Sequence, residues 1–294
     1  MSEKWITLSN DQLTVEIRPF GAALMSIRET DAPGAAYLWH GDHWAQQAPN
    51  LFPYVGRLTE GKYRLEGAEY PMDIHGFAKD SPFRPAVITE NEAVFCLEDD
   101  ENTYASYPWH FRFSIGYLLQ GRRLTIRYRV ENLDEKEMHF GVGGHPGFHV
   151  PLEKGLDFTD YYLEFSAPCH PVEMPFSEDC YVEGDPRPYP LQDDRILPLK
   201  HGLFDHDAIA LKNTLGQVTL KSDKGHRAVR VTYPDMPYLG LWHPPFTESP
   251  FLCIEPWTML ASRKGIIEDL ATHPDILHLA PGKTYENTWM IECI

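Results

Sequence analysis

Two side chains in this chain stand where acid–base chemistry on a small polar ligand could be done. Glu255 ends the apolar run FLCI in FLCIEPWTML (251–260). A carboxylate at the edge of such a run is costly unless it is solvated, paired or used, and burial there raises its pKa toward that of a working base. His145 lies in GVGGHPGFHVPL (141–152), between a glycine pair and a proline. The proline biases it toward an extended backbone, and an unperturbed imidazole titrates near neutrality, which suits proton transfer. A metal site made with His149 is disfavoured. On a strand the two histidines share a face but sit roughly 13 Å apart, and the surrounding glycines and Pro146 oppose a helix.

Six others are binding candidates. Arg57, in NLFPYVGRLTEGKY (50–63), either presents its planar fork to ligand oxygens or caps a surface hairpin. His75, in DIHGFAKDSPF (73–83), either faces a ligand or bonds to the loop backbone. In LFDHDAIAL (203–211), Asp205 and Asp207 flank His206; an aspartate there accepts hydrogen bonds from hydroxyls or simply forms a turn. Asp207 is preferred because Asp-Ala-Ile leads into the next strand. Trp242, in LGLWHPP (239–245), lines a pocket or fills the core, and Trp257 offers a sugar-stacking surface.

Strands must position these groups. In FRFSIGYLL, Phe111, Phe113, Ile115, Tyr117 and Leu119 fall on one face. In LTIRYRVEN, Leu124, Ile126, Tyr128 and Val130 oppose Thr125, Arg127, Arg129 and Glu131, and QGRR between the runs reads as a hairpin turn. Residues 13–19, 93–99, 229–234 and 285–292 alternate in the same way, the pattern of strands with one buried face. Helical spacing is scarce; 41–48 and 264–270 are expected to form short turns or helices. The proline- and acid-rich stretch 166–200 reads as an excursion over the surface of one sandwich. No fixed repeat points to a propeller or solenoid. The expectation is an all-β chain forming one large antiparallel sandwich domain over 1–294.

The net charge of −17 repels nucleic acid and anionic membranes, so neither is an expected partner. The five cysteines, Cys96, Cys169, Cys180, Cys253 and Cys293, are odd in number and lack CxxC spacing, which fits reduced thiols rather than a disulfide framework or zinc ribbon. The start, MSEKWITLSN, has no signal-peptide core, and no apolar run reaches the ~20 residues of a membrane span. A cytoplasmic protein is expected. No P-loop or nucleophile elbow is present, and GVGGHPG lacks the helix that a dinucleotide fingerprint requires.

Taken in order, NLFPYVGRL, HGFAKDSPF, GGHPGFHVPL, LFDHDAIAL and FLCIEPW resemble the aldose 1-epimerase (galactose mutarotase-like) superfamily, and most closely its LacX-type branch. The resemblance implies a β-supersandwich with few short helices and a sugar cleft across one sheet. It implies Glu255 as general base and His145 as general acid. His75 would be the second active-site histidine, Arg57 the arginine on the sugar hydroxyls, Asp207 or Asp205 the sugar-binding aspartate, and Trp242 a pocket wall. It implies interconversion of the α and β anomers of a hexose, with no metal or other cofactor, in a monomer or homodimer. Gly56 before Arg57, Gly-Phe after His75 and Gly rather than Asn before His145 depart from galactose mutarotases, and bear on which sugar is taken. Two other readings stand beside it. One is a hexose-6-phosphate 1-epimerase, with Arg57, Lys79 and Arg84 supplying a phosphate pocket. The other is a sugar-binding or regulatory module that does not turn substrate over.

Overall fold

The alternating segments form the strands that their period requires. In the computed structural model, which describes residues 4–32 and 34–294, Phe111–Gln120 and Arg123–Asn132 pair as an antiparallel hairpin from Gln120↔Arg123 to Phe111↔Asn132. They lie within a nine-stranded sheet. Its order is Ile196–Pro198, Tyr162–Phe165, Gln217–Lys221, Val229–Thr232, Thr284–Cys293, Arg123–Asn132, Phe111–Gln120, Glu92–Glu98 and Arg84–Ile88. Phe113, Ile115, Leu124, Ile126 and Val130 are buried on its inner face. Its outer face carries ion pairs such as Arg129–Glu286 at 2.7 Å and Arg230–Glu292 at 2.6 Å.

An eight-stranded sheet packs over that inner face. Seven of its strands run Arg187–Pro188, Val172–Met174, Ile209–Lys212, Tyr238–Trp242, Phe251–Trp257, Gly143–Gly144 and Asn50–Leu51. The eighth, Gly147–His149, also pairs with Phe251–Trp257. Residues from both sheets, including Phe113, Tyr128, Leu239 and Ile254, belong to one hydrophobic cluster, so the architecture is a sandwich. Buried Tyr128 ties the layers together: its hydroxyl donates to Asn50 Oδ1 at 2.9 Å and lies 3.1 Å from the Gly143 carbonyl. Smaller sheets flank the two, the largest being Ile6–Ser9, Leu13–Arg18 and Ala23–Glu29.

Three local expectations are refined. Residues 41–48 form turns and a Gly41–Trp44 bridge, not a helix. In 264–270, Lys264 and Gly265 form a turn closed by the Ile266 N–H on the Arg263 carbonyl, and Leu270 begins the 3-10 turn Leu270–Thr272. The α-helix among the described residues is Glu101–Ser106, where the Asp100 side chain accepts from Thr103 N–H and the Thr103 hydroxyl accepts from Asp100 N–H, both at 2.8 Å. The 166–200 stretch does more than cross a surface. It supplies an edge strand of each sheet, Arg187–Pro188 to one and Ile196–Pro198 to the other, and Val172–Met174 next to the first of these. No helix among the described residues is long and apolar enough to cross a membrane.

Candidate active site

The strand Phe251–Trp257 is buried at all seven positions, unlike the alternating strands of the larger sheet. Glu255 is central to it, opposite Gly240 on the neighbouring strand, and is 1% exposed. His145 stands at the corner between two short strands that both pair with Phe251–Trp257, through Gly143↔Trp257 and Gly147↔Cys253. Gly144 is required there by close approach: a Cβ would lie 2.4 Å from the Trp289 ring. The chain therefore presses down onto that indole and turns His145 toward the carboxylate.

His145 Nε2 and Glu255 Oε2 are 3.1 Å apart. The approach is too oblique for a hydrogen bond, and Oε2 is enclosed without a hydrogen-bond partner. Burial, and then Asp207, push the Glu255 carboxyl well above the usual carboxylate range. Burial, and then His75, push the His145 imidazolium well below the usual histidine range. The two shifts run toward each other, and the two groups lie close enough to share a proton.

Arg57, His75, Asp207 and Trp242 all line one cavity of about 480 Å³ with His145 and Glu255. This volume is within the ordinary range for a small-molecule site. The Gly56 N–H donates to His75 Nδ1 at 3.0 Å, which leaves Nε2 to carry the proton and act as a donor. Burial, with help from the Lys79 and Arg57 charges, holds His75 neutral by pushing its pKa down to about 3. Gly76 makes this bend possible: its φ is +70°, and a Cβ would lie 2.3 Å from the Phe52 carbonyl oxygen. Asp207 is pinned at both oxygens, by the Ala208 N–H at 2.8 Å and by the Cys180 thiol. Burial and Asp207 push that thiol up to about 12, so it donates rather than ionises.

Asp207, not Asp205, lines the cavity; Asp205 Oδ1 instead accepts from the Phe246 N–H at 3.2 Å. Of the three cations considered for a phosphate pocket, Arg57 and Lys79 line the cavity, and Lys79 is ion-paired with Asp80. Arg84 does not join them; it lies on the edge strand Arg84–Ile88, paired with Glu98. His149 is also elsewhere, with its ring centroid 5.1 Å from that of Trp39.

The sequence reading missed Trp44, Phe176 and Cys180. Trp44 stacks on His145 at 4.9 Å between centroids and meets Trp242 edge-on at 5.8 Å. Its stretch has no periodicity to reveal it. Phe176 and Cys180 come from the proline-rich excursion, whose return over the site is a matter of long-range topology. His145, Cys253 and Glu255 each offer one donor atom, all within 4.8 Å of one another, a set that a borderline cation such as zinc accepts.

A family model described as aldose 1-epimerase matches residues 4–291. Protein LacX of Lactococcus lactis subsp. lactis is 33% identical over 300 residues, covering 97% of this chain and 98% of that protein. The galactose mutarotase of Mus musculus is 24% identical over 201 residues, 60% of this chain and 57% of that one. The crystal structure of a galactose mutarotase related enzyme from Lactobacillus acidophilus superposes with a TM-score of 0.93 at 30% identity, over 99% of this chain and 97% of that one. A galactose mutarotase-like protein from Lactobacillus casei gives 0.92 at 29% identity, over 99% and 100%.

Proposed function

The chain belongs to the aldose 1-epimerase family, and from that premise we propose that it interconverts the α and β anomers of a hexose, with Glu255 as base and His145 as acid. The family and its galactose mutarotase relatives support an isomerase of mutarotase type. The observation that carries the finer reading is the 3.1 Å separation of His145 Nε2 and Glu255 Oε2 at the wall of a sugar-sized cavity. The anomeric hydroxyl oxygen and the ring oxygen of a pyranose are bonded to the same carbon. A base and an acid serving both can therefore stand close together, as these two do.

The step balances without a cofactor. Ionised Glu255 takes the proton from the C1 hydroxyl, the C1–O bond to the ring oxygen breaks as the C1 carbonyl forms, and protonated His145 gives its proton to the ring oxygen. The open aldehyde rotates about C1–C2. The ring oxygen then attacks the other face of C1, and both protons return. The shifts leave the free pair's proton on Glu255, so the reactive form is the less populated one with the proton on His145, in which burial makes the carboxylate a stronger base and the imidazolium a stronger acid. Arg57, Asp207 and the His75 Nε2–H would hold the remaining oxygens while C1 turns, and Trp242 and Trp44 would wall the ring.

Turnover should require the singly protonated pair. It should fall on the acid side below the ordinary histidine range, where the pair gains a second proton, and on the alkaline side above the ordinary carboxylate range, where it loses its last one. Anomeric exchange followed by NMR, over a panel of free and 6-phosphorylated aldoses, tests the reading and sorts the substrates. Accelerated exchange of a free hexose supports it. Preference for the phosphorylated sugars would favour the second reading, which Arg57 and Lys79 at the cavity support. Sugar binding with no acceleration would make the protein a binding module.

A further inference from the structure

Outside the two large sheets, Met138–Phe140 and Leu277–Leu279 pair as a small antiparallel sheet, with His139 directly opposite His278. Glu137 precedes the first of these strands. We propose that Glu137, His139 and His278 form a binding site for a divalent transition cation of the zinc class, which ties the two strands together. The site shares no residue with the catalytic cavity and does not rest on the mutarotase reading.

Three observations carry it. The first is geometry. Each of the three side chains offers one donor atom, and these atoms all lie within 4.8 Å of one another. His278 Nδ1 and Glu137 Oε2 are already 3.1 Å apart, and the centroids of the two imidazoles are 4.7 Å apart. Ligand atoms held at roughly 2.0–2.1 Å from a tetrahedral zinc lie about 3.3 Å from one another. Glu137 and His278 are exposed, so their side chains can make up the difference.

The second is the chemistry of the donors. Two imidazoles and a carboxylate suit a borderline ion such as zinc and leave a fourth position for water. His139 is 7% exposed, and its Nδ1 is enclosed without a hydrogen-bond partner. A buried ring nitrogen in that state calls for an explanation, and an ion shared with its neighbours is one. Asp269 and Glu66 also act on the His139 ring as negative charges, a field that draws in a cation.

The third is support from the main chain. Trp109 Nε1–H donates to the Glu137 carbonyl at 2.9 Å, and the buried Tyr107 hydroxyl donates to the His139 carbonyl at 2.8 Å. The segment that carries two of the three donors is thereby fixed before any ion arrives, and little freedom is lost on binding.

The test is zinc titration by calorimetry, with melting temperature as a second readout, on wild type, His278→Ala, Glu137→Gln and Cys253→Ser. The last removes a donor from the other candidate cluster, beside His145 and Glu255. Wild type and Cys253→Ser should each bind one zinc ion per chain with micromolar affinity or tighter. Zinc at a hundred times its dissociation constant should raise their melting temperature by about 5 °C. His278→Ala and Glu137→Gln alter exposed side chains, and without zinc both should melt within about 2 °C of wild type. With zinc they should lose at least about tenfold in affinity, and the thermal shift with it. Unchanged zinc affinity in those two variants would overturn the proposal. So would binding lost in Cys253→Ser but kept in His278→Ala, which would put the ion at the catalytic pair. Failure of wild type to bind zinc at millimolar concentration would overturn it as well.

Discussion

The hairpin strand Arg123–Asn132 and the strand Phe251–Trp257 are built from similar apolar residues and do opposite jobs. In the first, exposed and buried positions alternate, and the outward charges find partners, as Arg129 finds Glu286 at 2.7 Å. In the second every residue is buried, and the one carboxylate has an enclosed oxygen with no hydrogen-bond partner. A strand with a wet face can discharge its polar groups into water at little cost. A strand covered on both faces cannot, and it raises the proton affinity of whatever acid it carries. Glu255 lies on the second kind of strand and His145 packs against it, and burial shifts both groups at once.

The sharpest way to break this contrast is to neutralise each carboxylate in turn. Glu255→Gln should cut anomeric exchange by about 10²–10⁴-fold, measured by NMR under saturating sugar, while sugar binding by calorimetry persists. The matching change on the outer face, Glu286→Gln, should leave exchange at the wild-type rate. A large loss in Glu286→Gln would end the claim that the two strands differ in kind.

Backbone packing is the next largest effect. Gly144→Ala pushes a methyl into the Trp289 ring, where 2.4 Å is available. Overpacking of this sort should cost about 1–3 kcal/mol in denaturant unfolding and displace His145. Unchanged stability and turnover would remove the packing argument for that glycine.

The pH dependence of stability separates the strands more finely. Glu255 binds its proton more tightly in the folded chain than in the unfolded one. That favours folding at low pH, and the contribution is lost as pH rises from the unfolded carboxylate range through the raised folded value. Glu255→Gln lacks this loss. Its melting temperature should exceed that of wild type by about 2 °C or more near pH 8, and the gap should close as pH falls toward about 4. A constant gap would mean that the carboxylate is not destabilised by its surroundings. The smallest effect is expected at the surface: Arg129→Ala should change unfolding free energy by under about 1 kcal/mol.

The same contrast explains what could be read from sequence. Period-2 alternation marks strands with a solvated face, so Phe111–Gln120, Arg123–Asn132 and Thr284–Cys293 were legible. Glu255 was legible because an acid ending an apolar run is chemically anomalous. His145 was legible from the glycines and proline around it. Trp44 and Phe176 were not, since neither a turn nor a proline-rich excursion carries a period, and their approach to the site is set by topology. The preference for Asp207 over Asp205 matches the cavity lining. Placing Arg84 in a phosphate pocket failed because sequence nearness to Lys79 says nothing about which side of an edge strand a charge faces.

The central claim is that Glu255 and His145 act as one proton-sharing unit on adjacent oxygens of a single ring. A double-mutant cycle on anomeric exchange, with Glu255→Gln, His145→Asn and the pair combined, tests it most directly. If the two are one unit, the double variant should be no slower than the slower single variant. Losses that multiply, or a single variant that exchanges anomers as fast as wild type, would contradict it.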